Sequence, residues 1–139
     1  MRLQREDGVV AIEFALVLPI LLLIMFSIIE FGLILYNKQV ITNASREGAR
    51  YGIVQAKPPV SDINKVVKAY LKGAGLDDTS DPVVSCTDDE DATKNCDDRS
   101  FGDLLTVSVD YPYTFLLLHR FIGRSASLPL SGITTMVNE

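Results

Sequence analysis

The chain has 139 residues, 47% of them hydrophobic and 22% charged, with a formal net charge of -5, a size that allows one small domain rather than two. The average conceals two unlike ends: 22 of the 27 residues from Val9 to Leu35 are Ala, Val, Ile, Leu, Met or Phe, whereas Asp77 to Asp103 carries ten acidic side chains against Lys94 and Arg99. That stretch alone holds -8, which leaves +3 elsewhere, and the scattered Lys and Arg residues form no basic stripe with interleaved aromatics, which argues against nucleic acid as a partner.

Met1 to Gly8 hold Arg2 and Arg5 with Glu6 and Asp7, a short basic tail of the kind that stays in the cytoplasm. The apolar run that follows is too long for a signal peptide's 7–15-residue core, and no A-x-A-like site comes after it. A helix from Val9 to Tyr36 would be about 42 Å long, enough to cross about 30 Å of hydrocarbon. Pro19 removes the bond to the Ala15 carbonyl, a defect that membrane helices tolerate, and Ser27 can bond back to its own helix. Glu13 lies one turn inside the apolar run, where a carboxylate costs a few kcal/mol unless it snorkels, takes up a proton or meets a cation. The sixteen residues between Glu13 and Glu30 span about 24 Å, so the two acids bracket the hydrocarbon and Glu30 is expected at the outer interface.

The string Gly8-Val9-Val10-Ala11-Ile12-Glu13-Phe14 resembles the processing site of type IV prepilin-like proteins, where a prepilin peptidase cuts after the Gly and a Glu stands five residues beyond the cut. The Glu13-Phe14 pair resembles the Flp/Tad subclass, and Asn43-Ala44-Ser45-Arg46-Glu47-Gly48-Ala49-Arg50 is similar to the stretch after the membrane helix in TadE-like pseudopilins. The resemblance covers about the first 55 residues. It implies a cytoplasmic leader at 1–8, a new amine at Val9 after cleavage, and a Glu13 that meets the N-terminal ammonium of a neighbouring subunit. Removing one partner of such a buried pair typically costs about 3–5 kcal/mol, so Glu13 would fix the axial register of assembly. The implied partners are a prepilin peptidase, other pilin or pseudopilin subunits, the inner-membrane pilus assembly platform and membrane lipid.

Beyond Tyr36 the pattern becomes amphipathic, and Pro58-Pro59 is the first firm stop, which predicts one unbroken helix to about Val54. Residues 9–36 are thus expected as the transmembrane and assembly part, 37–56 as its extracytoplasmic continuation and 57–139 as a small α+β domain. Ile41, Ala44, Gly48 and Gly52 make a narrow seam of mostly small residues. Each Gly costs about 1 kcal/mol in a helix interior, so close approach of another backbone is expected. Two readings stay open for the seam: packing against the chain's own sheet, or helix packing between subunits. Lys38, Arg46 and Arg50, with Asn43 and Glu47, read as a solvated face.

Ser61 is expected to cap a second helix with Ile63, Val66, Val67, Tyr70 and Leu71 on its apolar face, ending at Gly73. Strands are expected over Pro82 to Thr87, Leu104 to Tyr111 and Ser127 to Val137, in a small antiparallel sheet. Leu105, Val107 and Val109 alternate with Thr106, Ser108 and Asp110 to give one buried and one wet face. Phe115 to Ile122 is too short to span a membrane and reads as a loop or helical turn on the core or on a neighbouring subunit. Cys86 and Cys96, with nine residues between them, predict a disulfide in an oxidising extracytoplasmic space, worth about 2.5–3 kcal/mol; two thiols without a nearby His make a poor zinc site. Asp88 to Asp91 read as a solvated loop, with calcium or a basic docking partner as the minor readings.

No Ser-His-Asp set and no phosphate loop is present. His119 is the lone His in an apolar stretch, Gly73-Ala74-Gly75 lacks the Lys and spacing, and Asp97, Asp98 and Asp103 suggest no recognisable cleft. With the first 36 residues set aside, 103 remain, enough for a modest core and not for a large enzyme cleft. The sequence reads as a TadE-like pseudopilin or minor pilin with no catalytic residues, no cofactor and no metal, held in the inner membrane by one pass with its C-terminal domain outside. The alternative is an uncleaved single-pass protein whose outer domain binds a partner or ligand.

Overall fold

A computed structural model describes residues 4–54, 57–76, 81–87, 93–116 and 127–138. His119, most of the Phe115 to Ile122 run and the acids from Asp88 to Asp91 lie outside these residues. One α-helix, α1 (Gln4–Val54), passes through Pro19 without interruption, and Ser27 Oγ donates to the Leu23 carbonyl at 2.7 Å. The helix starts four residues ahead of Gly8 and ends where the sequence pattern places its end. Lys57, with a left-handed φ of 51°, and the two prolines after it turn the chain back.

The second helix, α2 (Val60–Gly73), begins one residue before Ser61. Its N-cap is Pro59, with no side-chain cap bond, so the expected Ser61 cap is replaced by Asp97, whose Oδ1 accepts from Val60 N at 3.4 Å. A proline supplies the extended φ/ψ that a cap position needs, which makes Val60 the first helical residue. The far end closes as a Schellman motif: Gly75 adopts φ +80°, Leu76 N donates to the Leu71 carbonyl at 2.9 Å and Gly75 N to Lys72 at 3.0 Å. Leu76 is buried beside Leu71, the apolar contact that accompanies this ending.

Four antiparallel strands, β1 (Val83–Thr87), β2 (Thr93–Lys94), β3 (Leu104–Thr114) and β4 (Ser127–Val137), form one sheet in the order β2-β1-β3-β4. The third strand runs three residues beyond Tyr111 because Pro112 stands opposite Pro129. Two facing prolines need no ladder bond from each other, so neither breaks the pairing. Leu105, Val107 and Val109 are fully buried, as their alternation predicts. They meet Ile41 and Ala44 of α1 and Ile63, Val67 and Leu71 of α2 in one core. The outer half of α1 is therefore part of the domain rather than a stalk beneath it.

One position sets how closely α1 and the sheet approach. Gly132 on β4 lies against the α1 backbone: a Cβ there would sit 2.8 Å from the carbonyl carbon and oxygen of Ile41 and 2.9 Å from Thr42 N. Around this contact, Ser45 Oγ and Thr134 Oγ1 are hydrogen-bonded at 2.7 Å and Lys38 Nζ donates to the Ser131 carbonyl. Lys38 thus ties α1 to β4 instead of being merely solvated, whereas Glu47 and Arg50 pair with each other at 2.9 Å on the exposed side.

Candidate functional site

The N-terminal segment singled out by the sequence is helical and open. Gly8, Val9, Glu13 and Phe14 are all exposed, with Val9 at 56% and Phe14 at 61%. An 18-residue window within Gly8–Val54 is long and apolar enough to cross a membrane, and none of it is buried against the rest of the chain. Among the described residues, none pairs with Glu13. A carboxylate on an otherwise apolar helix surface within the hydrocarbon snorkels, takes up a proton or meets a cation.

Glu30 has the opposite surroundings. Its residue exposure is 2%; Tyr113 Oη donates to its Oε1 at 2.7 Å and Leu116 N donates to the same oxygen at 2.8 Å. The Phe115 ring meets the Tyr113 ring edge-on, with centroids 5.7 Å apart. The end of β3 is thereby latched onto α1 at the limit of the apolar run. Burial, followed by the hydrogen bond and the charge of Glu30, pushes the Tyr113 phenol well above its ordinary 10.0, so it stays a donor at any physiological pH. Glu30, expected at the outer interface, lies beneath the domain's own strand.

The small-residue seam is filled from within the chain. Ile41 and Ala44 are fully buried; a Cβ at Gly48 would meet Val67 and Val107, and one at Gly52 would meet Leu105 and Ile63. Of the two readings held open for the seam, α2 and β3 occupy the face that a neighbouring helix would need.

At the outer tip of α1 the Cys86–Cys96 disulfide closes its loop, with Cα atoms 5.2 Å apart. Cys96 begins a 3-10 turn, Cys96–Asp98, in which the Asn95 side chain accepts from Asp97 N at 3.2 Å. Arg99 follows, fully buried. Its guanidinium donates to the carbonyls of Cys96 at 2.7 Å, Gly52 at 3.1 Å and Pro58 at 3.1 Å. The last turn of α1 contains no basic residue, so Arg99 supplies from across the fold the cation that a helix C-terminus favours. Desolvation lowers the Arg99 pKa from its usual value, partly offset by Asp97. Sequence reading missed Arg99, and the only local hint was a single Arg directly after two acids.

Two of the three acids considered as a set have separate structural jobs. Asp97 caps α2, and Asp103 Oδ2 accepts from Ser100 N at 2.6 Å. A shallow groove of about 590 Å³ between α1 and α2, lined by Tyr36, Gln39, Val40, Asn43, Tyr70 and Ala74 among others, gathers no acid, base or nucleophile set.

Against known proteins, no curated protein and no solved structure matches. A family model described as TadE-like protein matches residues 8–50, which runs from the Gly before the apolar helix through Arg50. The matched stretch contains the Gly8 to Phe14 string, the apolar run and the beginning of the seam, and over those residues the chain is similar to TadE-like proteins.

Proposed function

We propose that the chain is a TadE-like pseudopilin or minor pilin, cut after Gly8 by a prepilin peptidase and assembled through its N-terminal helix into a Flp (Tad) pilus or secretion pseudopilus. One observation carries the reading most: Glu13 is exposed and, among the described residues, without a partner, on an apolar helix whose other deep acid, Glu30, accepts two hydrogen bonds from the chain itself. A carboxylate left open in that setting fits a partner supplied by another molecule, and the amine created at Val9 is the nearest cation such processing makes. The protein acts by assembling, as the substrate of an enzyme rather than as one. Its other partners are fellow pilin subunits and the inner-membrane assembly platform, with the domain on the extracytoplasmic side.

Intact-mass spectrometry of the chain expressed with its peptidase tests this directly. A mature N-terminus at Val9 is expected. A chain that keeps Met1 to Gly8 in the presence of active peptidase overturns the pilin reading in favour of an uncleaved single-pass protein whose outer domain binds a partner.

A further inference from the structure

The direction of β3 relative to α1 places one end of the domain at the membrane. Leu105 lies against Gly52, Val107 against Gly48, and Leu116 N bonds to Glu30. From Gly52 to Glu30 the helix descends about 33 Å, and from Leu105 to Leu116 an extended chain covers about 36 Å. The strand thus runs down the helix, and the Thr114 and Ser127 end of the β3–β4 pair points towards the apolar segment.

The depth of that end follows from lengths. Counting about 20 residues for the hydrocarbon, a span that begins at Val9 ends near Ile28, and one that begins just past Glu13 ends near Leu33. Glu30 lies within about 5 Å of the hydrocarbon boundary in either register. Exposed apolar side chains continue past that level on α1, with Phe31 at 61% and Leu35 at 52%, and Tyr36 stands just beyond at 54%, where an amphipathic ring suits the headgroup zone. At the same end of the sheet, Leu128 on β4 is 39% exposed and Leu116, two residues past the end of β3, is 68% exposed. The apolar surface of the span is therefore continuous with the end of the domain. The Glu30 carboxylate, which lipid would penalise there, accepts from Tyr113 Oη and Leu116 N.

We infer that the β3–β4 end of the domain, through Leu116 and Leu128, seats in the outer membrane–water interface beside α1, so that a lipid surface is the partner of this patch. The inference rests on the reading of α1 as a membrane span. It gives the Glu30–Tyr113 latch a purpose: it holds the strand end at a fixed depth while keeping a charge out of the hydrocarbon.

The chain contains no Trp, so single substitutions report depth. Leu116→Trp, Leu21→Trp in mid-span and Phe101→Trp, at 86% exposure near the opposite end of the domain, are each introduced into the full chain. Each variant is reconstituted in phosphatidylcholine–phosphatidylglycerol vesicles with bromine either near the headgroup or near the chain end of the acyl groups. Trp at 116 is expected to emit to the blue of Trp at 101 and to lose most of its emission to the shallow bromines and less to the deep ones. Trp at 21 should show the reverse depth preference, and Trp at 101 should lose none. Unquenched, water-like emission from position 116 beside quenched emission from position 21 overturns the inference and leaves the span standing. Blue but unquenched emission from position 116 overturns it as well, because protein then covers the patch, as it would if a second copy packed there. Absence of quenching at position 21 removes the span and the inference with it.

Discussion

Glu13 and Glu30 are the same side chain on the same helix, and what separates them is what stands opposite. Glu30 accepts from Tyr113 Oη and Leu116 N. Glu30→Leu strands both donors, a loss of about 1–3 kcal/mol each where they stay buried. Glu30→Gln keeps an acceptor and should lose less, which urea unfolding of the detergent-solubilised chain measures. The raised Tyr113 pKa gives a pH signature with a fixed sign. Above the ordinary 10.0 the unfolded chain releases the phenolic proton while the folded chain keeps it, so this contribution is complete below pH ~10 and falls as pH rises further. Tyr113→Phe should be less stable at neutral pH and flatter above pH ~10 than the parent. Gly132 makes the complementary case from backbone. Its missing Cβ leaves room for the Ile41 carbonyl at 2.8 Å, and a helix backbone cannot step aside as a side-chain tip can. Gly132→Ala should therefore cost about 1–3 kcal/mol. Gly52→Ala meets mainly the end of the Leu105 side chain, gains about 1 kcal/mol of helix propensity and should cost less in the same measurement.

At the scale of elements, the outer tip of α1 is finished by a segment about 45 residues further along the chain. The disulfide fixes where the 3-10 turn begins, the turn places Arg99, and Arg99 ties together the end of α1, the turn into α2 and the Cys96 carbonyl. Arg99→Met leaves those carbonyls without their charged donor and should cost about 2–4 kcal/mol. Loss of the disulfide through Cys86→Ser with Cys96→Ser should cost about 2.5–3 kcal/mol from the unfolded state alone. Because Arg99 depends on the turn that the disulfide anchors, the combined variant should lose less than the sum, a coupling that a double-mutant cycle on unfolding midpoints reads. Additive losses would show that the turn holds Arg99 without the bond. The cysteine pairing was legible from two residues in sequence, whereas Arg99 was not. Nothing within a few residues of it marks a side chain whose acceptors are Gly52 and Pro58.

For the whole molecule, the face proposed for assembly is not the face that the fold buries. Glu13 is exposed and pairs with none of the described residues, so Glu13→Leu should leave membrane insertion and thermal unfolding of the monomer unchanged while impairing pilus formation, scored by sedimentation of sheared filaments. Normal filaments from that variant would refute its pairing role. The seam of Ala44, Gly48 and Gly52 works the other way, since it is consumed by α2 and β3 and its substitution should act on the fold before it acts on assembly. The sequence by itself determined the long helix and its end, the three principal strands, the buried alternation on β3 and the likeness over the first 55 residues. These depend on period, composition and breakers, which are local properties. Only the tertiary structure decided that Glu30 is covered, that Asp97 rather than Ser61 caps α2, that the seam faces inward and that Arg99 closes α1. Each of these is settled by a partner more than 35 residues away along the chain, or by which of two faces another element covers first. Neither is a quantity that the order of residues along a single segment encodes.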